Sequence, residues 1–313
     1  MAGVGRCLAW NVGYVAADAQ AVCPCYHARM AAKIIDGSAI AAKVKEEIKE
    51  QVGQLKSQGK RVRLAAMLVG ATAAGEMYAV RQGEACRAVG IEYELVKLPE
   101  AATQAEVEAK IEALNRDPAV TGIMVHLPVP KHVDEARLQQ KIELVKDVEG
   151  VNPGNLGMMV LGRAVNVPCT AMAAFELIKT TGVSLRGAEA VVVGASEIVG
   201  KPVALLLSDE RATVQICRSA TPDLAGHCRK ADILVAAVGK AGIIGGDFVK
   251  EGAVVIDVGI NRITLADGTK KTVGDVDFDA AKEKAGWITP VPGGVGPMTV
   301  AMLLGNVVKG AKR

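Results

Sequence analysis

Residues 190–202 run Ala190-Val191-Val192-Val193-Gly194-Ala195-Ser196-Glu197-Ile198-Val199-Gly200-Lys201-Pro202, and a helical stretch follows over Val203–Leu207. The valine run reads as a buried strand that ends at Gly194, with a turn delivering the chain into a helix. A glycine turn in that place lets backbone N–H groups and the helix N-terminus face a pyrophosphate. The spacing departs from the usual G-x-G-x-x-G, because Ser196 holds the middle place. Alone the turn is a weak signal, since many α/β strands end in glycine. Its weight comes from the strand–turn–helix–strand context completed by Thr213–Cys217. An acid after that second strand would bond a ribose hydroxyl, whereas a cation favours a 2′-phosphate. Arg218 and Ser219 stand there and no acid does, which favours NADP over NAD; a solvated arginine at a strand end would read the same.

Working outward, strand and helix alternate throughout. Upstream, Ile40, Val44, Ile48 and Val52 mark one helix face, and Leu64–Val69 is a buried strand ending at Gly70. A helix over 74–89, a strand at Tyr93–Leu98, a helix at Gln104–Asn115 and a strand at Gly122–Leu127 follow. Around the glycine turn come a helix at 171–180, a helix at 222–229 and strands at Ile233–Val238 and Ala253–Val258. An apolar helix after the proline-glycine run at 290–297 extends to Val308. This alternation predicts an α/β fold built from parallel βαβ units.

Composition agrees. Half of the 313 residues are hydrophobic but only 3% are aromatic, so packing rests on Val, Ile, Leu, Ala and Met, as in parallel sheets buried on both faces. A net charge of +3, dispersed along the chain, argues against nucleic-acid and membrane-surface partners. No apolar run is long enough to cross a bilayer. Seven cysteines lack paired metal-ligand spacing. Cys23-Pro24-Cys25 with His27 lacks an evident fourth ligand, so no metal is expected, and the thiols point to a reducing compartment, the cytoplasm. Residues 1–29 hold one acidic residue and no lysine, whereas the chain after Met30 reads like a domain start. The segment is expected to be an extension outside the fold or a misassigned start.

Four ordered motifs now carry a resemblance: the turn at Gly194–Pro202, Val255-Ile256-Asp257-Val258-Gly259-Ile260-Asn261, Pro168-Cys169-Thr170, and Pro292-Gly293-Gly294-Val295-Gly296-Pro297-Met298-Thr299-Val300. Together, over about Lys33 to Val308, they resemble the bifunctional methylenetetrahydrofolate dehydrogenase/cyclohydrolase family, FolD. The resemblance implies two lobes: an α/β folate-binding catalytic domain at 30–150, completed by the C-terminal helix at 297–313, and a Rossmann-type doubly wound parallel sheet at 151–296. It implies a tetrahydrofolate substrate in the cleft and a homodimer built through the Rossmann lobes. Tyr78 and the Pro292-Gly293-Gly294 backbone would line the folate pocket, with Glu149 at the pterin's amino edge. Gly194, Ala195, Ser196, Arg218, Ser219 and Ile260 would hold the cofactor.

Three positions depart from the family's pattern. Its lysine, one helical turn after the tyrosine and on the same face, is Gln82 here; its Gln-Leu-Pro is His126-Leu127-Pro128; its Asp-Val-Asp-Gly is Asp147-Val148-Glu149-Gly150. Hydride transfer asks chiefly for positioning. Cyclohydrolysis asks for a titratable group with a tuned pKa, which glutamine is not. The expectation is therefore a methylenetetrahydrofolate dehydrogenase with weak or lost cyclohydrolase activity. Tyr78, Gln82, His126 and Glu149 are its candidate catalytic residues. His126 could instead serve as a substitute base, giving a bifunctional enzyme, or the three changes could mark a silent folate-binding homologue. On the cofactor side, the family's Gly-Arg-Ser is Gly194-Ala195-Ser196, which removes one cation near a 2′-phosphate while Arg218 adds another.

Overall fold

The computed structural model describes residues 32–70, 72–265 and 267–313. In chain order the elements are β1 (Lys33–Ile34), α1 (Gly37–Ser57), β2 (Arg63–Val69), α2 (Ala73–Ala88), β3 (Glu92–Leu98), α3 (Gln104–Arg116), β4 (Gly122–Val125), α4 (Glu135–Lys141) and α5 (Pro153–Val160). There follow α6 (Cys169–Lys179), β5 (Glu189–Val193), α7 (Gly200–Asp209), β6 (Thr213–Cys217), α8 (Leu224–Cys228), β7 (Ile233–Ala236), a short 3-10 turn at Gly246–Phe248, and β8 (Val254–Asp257). The chain closes with β9 (Asn261–Thr264), β10 (Lys270–Val273), α9 (Phe278–Ala281), β11 (Trp287–Ile288) and α10 (Val295–Ala311).

Two parallel sheets result. The first has the order β3-β2-β4 and the second β1-β11-β8-β7-β5-β6. Val254, Val255 and Ile256 of β8 and Ile233–Ala236 of β7 are fully buried, as expected of strands covered on both faces. α1 buries the stripe Ala41, Val44, Ile48, Val52 and Leu55 and packs against α10, which also lies on α6. Glycines admit the end of α10 and β4 to close packing. A Cβ on Gly310 would stand 2.2 Å from the Thr121 carbonyl oxygen, and one on Gly122 would stand 2.3 Å from Val148.

Differences from the sequence reading fall where elements are short or polar. β4 stops at Val125 rather than Leu127, although the His126 N–H still bonds the Met67 carbonyl at 2.8 Å. β7 stops at Ala236, two residues early. The hairpin β9–β10 was not foreseen, because its half-exposed, charged strands show no apolar alternation. β1 and β11 are two residues each, too short for any periodicity, and β1 lies at the edge of the six-stranded sheet rather than in the three-stranded one. The segment 1–29, with Cys7, Cys23, Cys25 and His27, lies outside the described residues. Cys86, Cys169, Cys217 and Cys228 are free and buried. Among the described residues no helix is long and apolar enough to cross a membrane, and no cluster of three or more His, Cys, Asp or Glu could hold a metal ion.

Candidate active site

Parallel strands bring their C-terminal ends, and the loops and helix starts that follow, to one edge of each sheet; ligand sites of open α/β sheets lie at that edge. At the three-stranded sheet this edge carries His126 directly after β4 and the first turns of α2, where Tyr78 is 53% exposed. Gln82 lies one turn further along α2, half-buried. Its amide donates to the Cys86 thiol across 3.8 Å, one more turn along the same face.

Glu149 reaches the same edge by a separate route. Ile123 N–H bonds the Lys146 carbonyl at 2.7 Å, laying residues 146–149 alongside β4. The buried Asp147 then fixes the loop, accepting from the backbone N–H groups of Gly150 and Asn152 and from the Asn155 amide at 2.8–3.0 Å. The Glu149 carboxyl is pushed up to about 7, by burial first and by the like charges of Asp147 and Glu135, against a hydrogen bond from the Val125 backbone. His126 is buried and its pKa is lowered by that burial. Its Nε2 lies 3.4 Å from the Tyr93 hydroxyl.

The proline-glycine run leads directly into α10, with Gly294 at its N-cap. Gly293 has φ +106°, and its carbonyl accepts from Ser38 N–H at 2.9 Å, tying the run to the start of α1. A Cβ on Gly37 would stand 1.9 Å from the Gly294 carbonyl oxygen, so only glycine permits this approach.

At the six-stranded sheet, Gly194 (φ +113°) and Gly200 make the turn after β5. A Cβ on Gly194 would meet the Ala237 carbonyl oxygen at 2.1 Å, and one on Gly200 would meet the Gly194 carbonyl oxygen at the same distance. Ala195 is half-buried and Ser196 exposed; the Ser196 hydroxyl accepts from Gly200 N–H at 3.3 Å. Arg218 and Ser219 are exposed just beyond β6, and Ile260 offers a face that is 68% exposed. The structure therefore gathers Gly194, Ala195, Ser196, Arg218, Ser219 and Ile260 at one edge of one sheet.

Two buried carboxylates support that edge. Asp275 accepts from the N–H groups of Val238, Gly239 and Lys240 at 2.6–2.9 Å and from the Asn261 amide at 2.9 Å. Asp257 accepts from the N–H groups of Gly259, Asp275 and Val276, each at 2.9 Å, and burial pushes it up to about 6 despite them. Together they hold the loop after β7 and the segment presenting Ile260. Asp257 falls within the motif at 255–261, but neither acid has a role that its local sequence declares. The available signal was an acid set within an apolar run, which folding must bury.

Helix starts give a second mark of ligand sites. Among the described residues, seven α-helices have their first-turn N–H groups capped by the side chain of Asp36, Thr72, Thr103, Asp134, Asn152, Asp223 or Asp277. The three whose N-cap residue gives no side-chain bond are α6, α7 and α10, with Pro168, Val199 and Gly294 at the N-cap. These starts hold the motifs at 168–170, 194–202 and 292–300, but at α7 the Ser196 hydroxyl and carbonyl already accept from Gly200 and Lys201 N–H at 3.3 and 3.1 Å, and at α6 the Glu149 carbonyl accepts from Cys169 N–H at 3.2 Å.

Comparison with known proteins accounts for this arrangement. The family model for the tetrahydrofolate dehydrogenase/cyclohydrolase catalytic domain matches residues 35–149, and that for the NAD(P)-binding domain of the same family matches residues 168–313. The chain belongs to the tetrahydrofolate dehydrogenase/cyclohydrolase family. It is 53% identical over 284 residues to the bifunctional protein FolD of Moorella thermoacetica, covering 91% of this chain and 100% of that one. Among solved structures it resembles the FolD methylenetetrahydrofolate dehydrogenase/cyclohydrolase of Campylobacter jejuni, with a TM-score of 0.86 and 44% identity over 90% of this chain and 99% of that one. The FolD of Trypanosoma brucei, complexed with NADP cofactor and inhibitor, gives a TM-score of 0.84 and 39% identity over 91% and 98%. A further residue at the edge that carries His126, to which the sequence pattern assigns no role, is Tyr93. It pairs with His126 across 33 residues of chain, and its signal was an aromatic at a strand start in a chain with few aromatics.

Proposed function

We propose that this protein oxidises 5,10-methylenetetrahydrofolate to the methenyl form with NADP, and that its cyclohydrolase step is weak. The observation that carries the proposal is Gln82. It stands where the resemblance places a lysine, it has no proton to exchange, and its amide is turned along α2 to the Cys86 thiol. Oxidation does not need a base there. It needs the folate held in place, and Tyr78, the Glu149 carboxylate and the Pro292-Gly293-Gly294 backbone are the groups that would hold it. The cofactor, when bound, supplies a hydride acceptor. The turn at Gly194 and Gly200, where any Cβ would strike backbone, fits close approach by a pyrophosphate. Exposed Arg218 fits a 2′-phosphate, and the NADP complex of the Trypanosoma relative is consistent with that choice.

A second reading keeps both activities, as the name of the Moorella relative implies for that protein. It is favoured by a Glu149 carboxyl near 7, able to exchange protons around neutrality, and by the imidazole of His126 at the same edge, although burial lowers the pKa of that ring. One experiment separates the readings. Purified protein is given methylenetetrahydrofolate and NADP, reduced-cofactor formation is followed, and methenyl decay is then followed in the same cuvette against the spontaneous rate. Reduction with methenyl accumulation supports the specialised dehydrogenase; decay well above background supports the bifunctional enzyme; neither supports a silent homologue. We further propose a homodimer through the Rossmann lobe, where β6 is an open edge strand with Ile216 40% exposed, and a cytoplasmic location in keeping with four free buried thiols.

A further inference from the structure

Tyr93 stands at the start of β3, and its ring crosses the sheet face beneath α2. Room for it comes from Gly83, where a Cβ would stand 2.8 Å from the Tyr93 Cδ1 atom and 3.0 Å from Cε1. Any other residue at 83 would push on the ring. The hydroxyl so placed lies 3.4 Å from Nε2 of the buried His126, a long but direct contact. The same ring neighbours the buried Cys86, whose thiol receives the Gln82 amide. Tyr93 thus bridges the two positions, 82 and 126, at which this chain departs from the family's pattern.

We propose that Tyr93 is a positioning residue that donates its hydroxyl proton to Nε2 of His126, fixing the imidazole with its own proton on Nδ1. The direction follows from chemistry. An imidazole nitrogen is a far better acceptor than a phenol oxygen, and a phenol O–H is the better donor, so the pair bonds as O–H···N. Both groups are held neutral by burial, which pushes Tyr93 up to about 12 and His126 down. The lone pair a base would use is then engaged by the tyrosine, and the ring offers only an N–H elsewhere. His126 becomes a neutral hydrogen-bond donor, as an amide would be, and not a free base. This deepens the specialised-dehydrogenase reading and rests on it for its meaning, but the tautomer itself can be measured without substrate.

The test is ¹⁵N correlation spectroscopy of the histidine rings in the ligand-free full-length protein, with His126 assigned through its own side-chain couplings. The expected result is a predominantly Nδ1–H neutral tautomer for His126. Tyr93→Phe, which keeps the ring on Gly83 and removes only the hydroxyl, should shift the population towards Nε2–H and raise the His126 pKa, because a bond to the neutral form has been lost. A wild-type ring with its proton on Nε2 overturns the proposal, as does a Tyr93→Phe spectrum with the tautomer and pKa unchanged. If Tyr93→Phe does not fold, the wild-type tautomer alone decides. Failure here leaves reduced-cofactor formation untouched, and absence of that activity leaves the tautomer reading untouched, so the two can fail separately.

Discussion

Replacing Glu149 by glutamine should change how stability and substrate use depend on pH, and the size of the change can be worked out. Glu149 lies in the folded chain with a carboxyl that titrates at about 7 against an ordinary 4.5. Between those values the unfolded chain has released its proton while the folded chain keeps it. The folded state then binds more protons, and stability falls as pH rises through this window. Below about 4.5 the penalty is absent, and above about 7 it is complete and constant. At about 1.4 kcal/mol per pH unit the displacement is worth about 3.5 kcal/mol, an upper limit because the half-buried side chain is partly screened by solvent. Glu149→Gln keeps the size and an acceptor oxygen but cannot ionise. Relative to wild type it should gain roughly 1–3 kcal/mol on going from about pH 5 to about pH 8.5, read as the difference in urea unfolding free energies.

Asp257 also titrates in this range, at about 6, but it is present in both proteins, so the difference isolates Glu149. The kinetic counterpart is that kcat/KM for methylenetetrahydrofolate should rise through an apparent pKa near 7 in wild type, as the carboxylate proposed to hold the pterin's amino edge forms. That rise should be missing in Glu149→Gln. A stability difference that stays constant across the range would refute the placement of Glu149 as a desolvated carboxyl.

Arg218→Ala should raise the KM for NADP about tenfold and leave that for NAD nearly unchanged, the loss of one charge-assisted contact; equal effects on both would remove Arg218 from 2′-phosphate recognition. Gln82→Lys should restore part of the methenyl hydrolysis, measured above the spontaneous rate. Restoration is partial because positions 126 and 149 also differ from the family's pattern, and no gain at all would mean that the missing lysine does not limit the step. Asp275→Ala would leave three backbone N–H groups and the Asn261 amide without their acceptor. It should cost at least about 3 kcal/mol in urea unfolding and weaken cofactor binding; an unchanged unfolding midpoint would show the network to be dispensable.

The elements legible in the sequence are those whose signal is local. The valine strand at β5, the 3.6-residue stripe of α1 and the glycines at 194 and 200 each declare themselves within a dozen residues, and the structure keeps them. What could not be read are pairings across the chain. Tyr93 meets His126 because β3 and the end of β4 flank β2 and because Gly83 leaves a space above the ring. Asp257 and Asp275 act together because an unforeseen hairpin returns the chain over its own strand. Two-residue strands such as β1 and β11 have no period at all; their pairing depends on neighbours already in place.

The helix starts carry a further signal in the sequence. A helix start needs an acceptor for its free N–H groups, and Ser, Thr, Asp or Asn at the N-cap supplies it at a gain of about 1 kcal/mol. Seven helices here follow that rule, whereas α6, α7 and α10 begin after Pro168, Val199 and Gly294, whose side chains cannot accept. A capping oxygen in those places would satisfy the same N–H groups that a ligand must reach, so stability and binding compete for one set of donors. α6 and α10 have forgone a side-chain cap, whereas at α7 the Ser196 hydroxyl and carbonyl take the Gly200 and Lys201 N–H groups at 3.3 and 3.1 Å; each start sits in a motif that the family resemblance singles out on other grounds. The missing side-chain caps at α6 and α10 therefore mark the motifs at 168–170 and 292–300 independently of glycine spacing. At 194–202 they do not, because Ser196, which breaks the usual glycine pattern, itself accepts from Gly200 N–H.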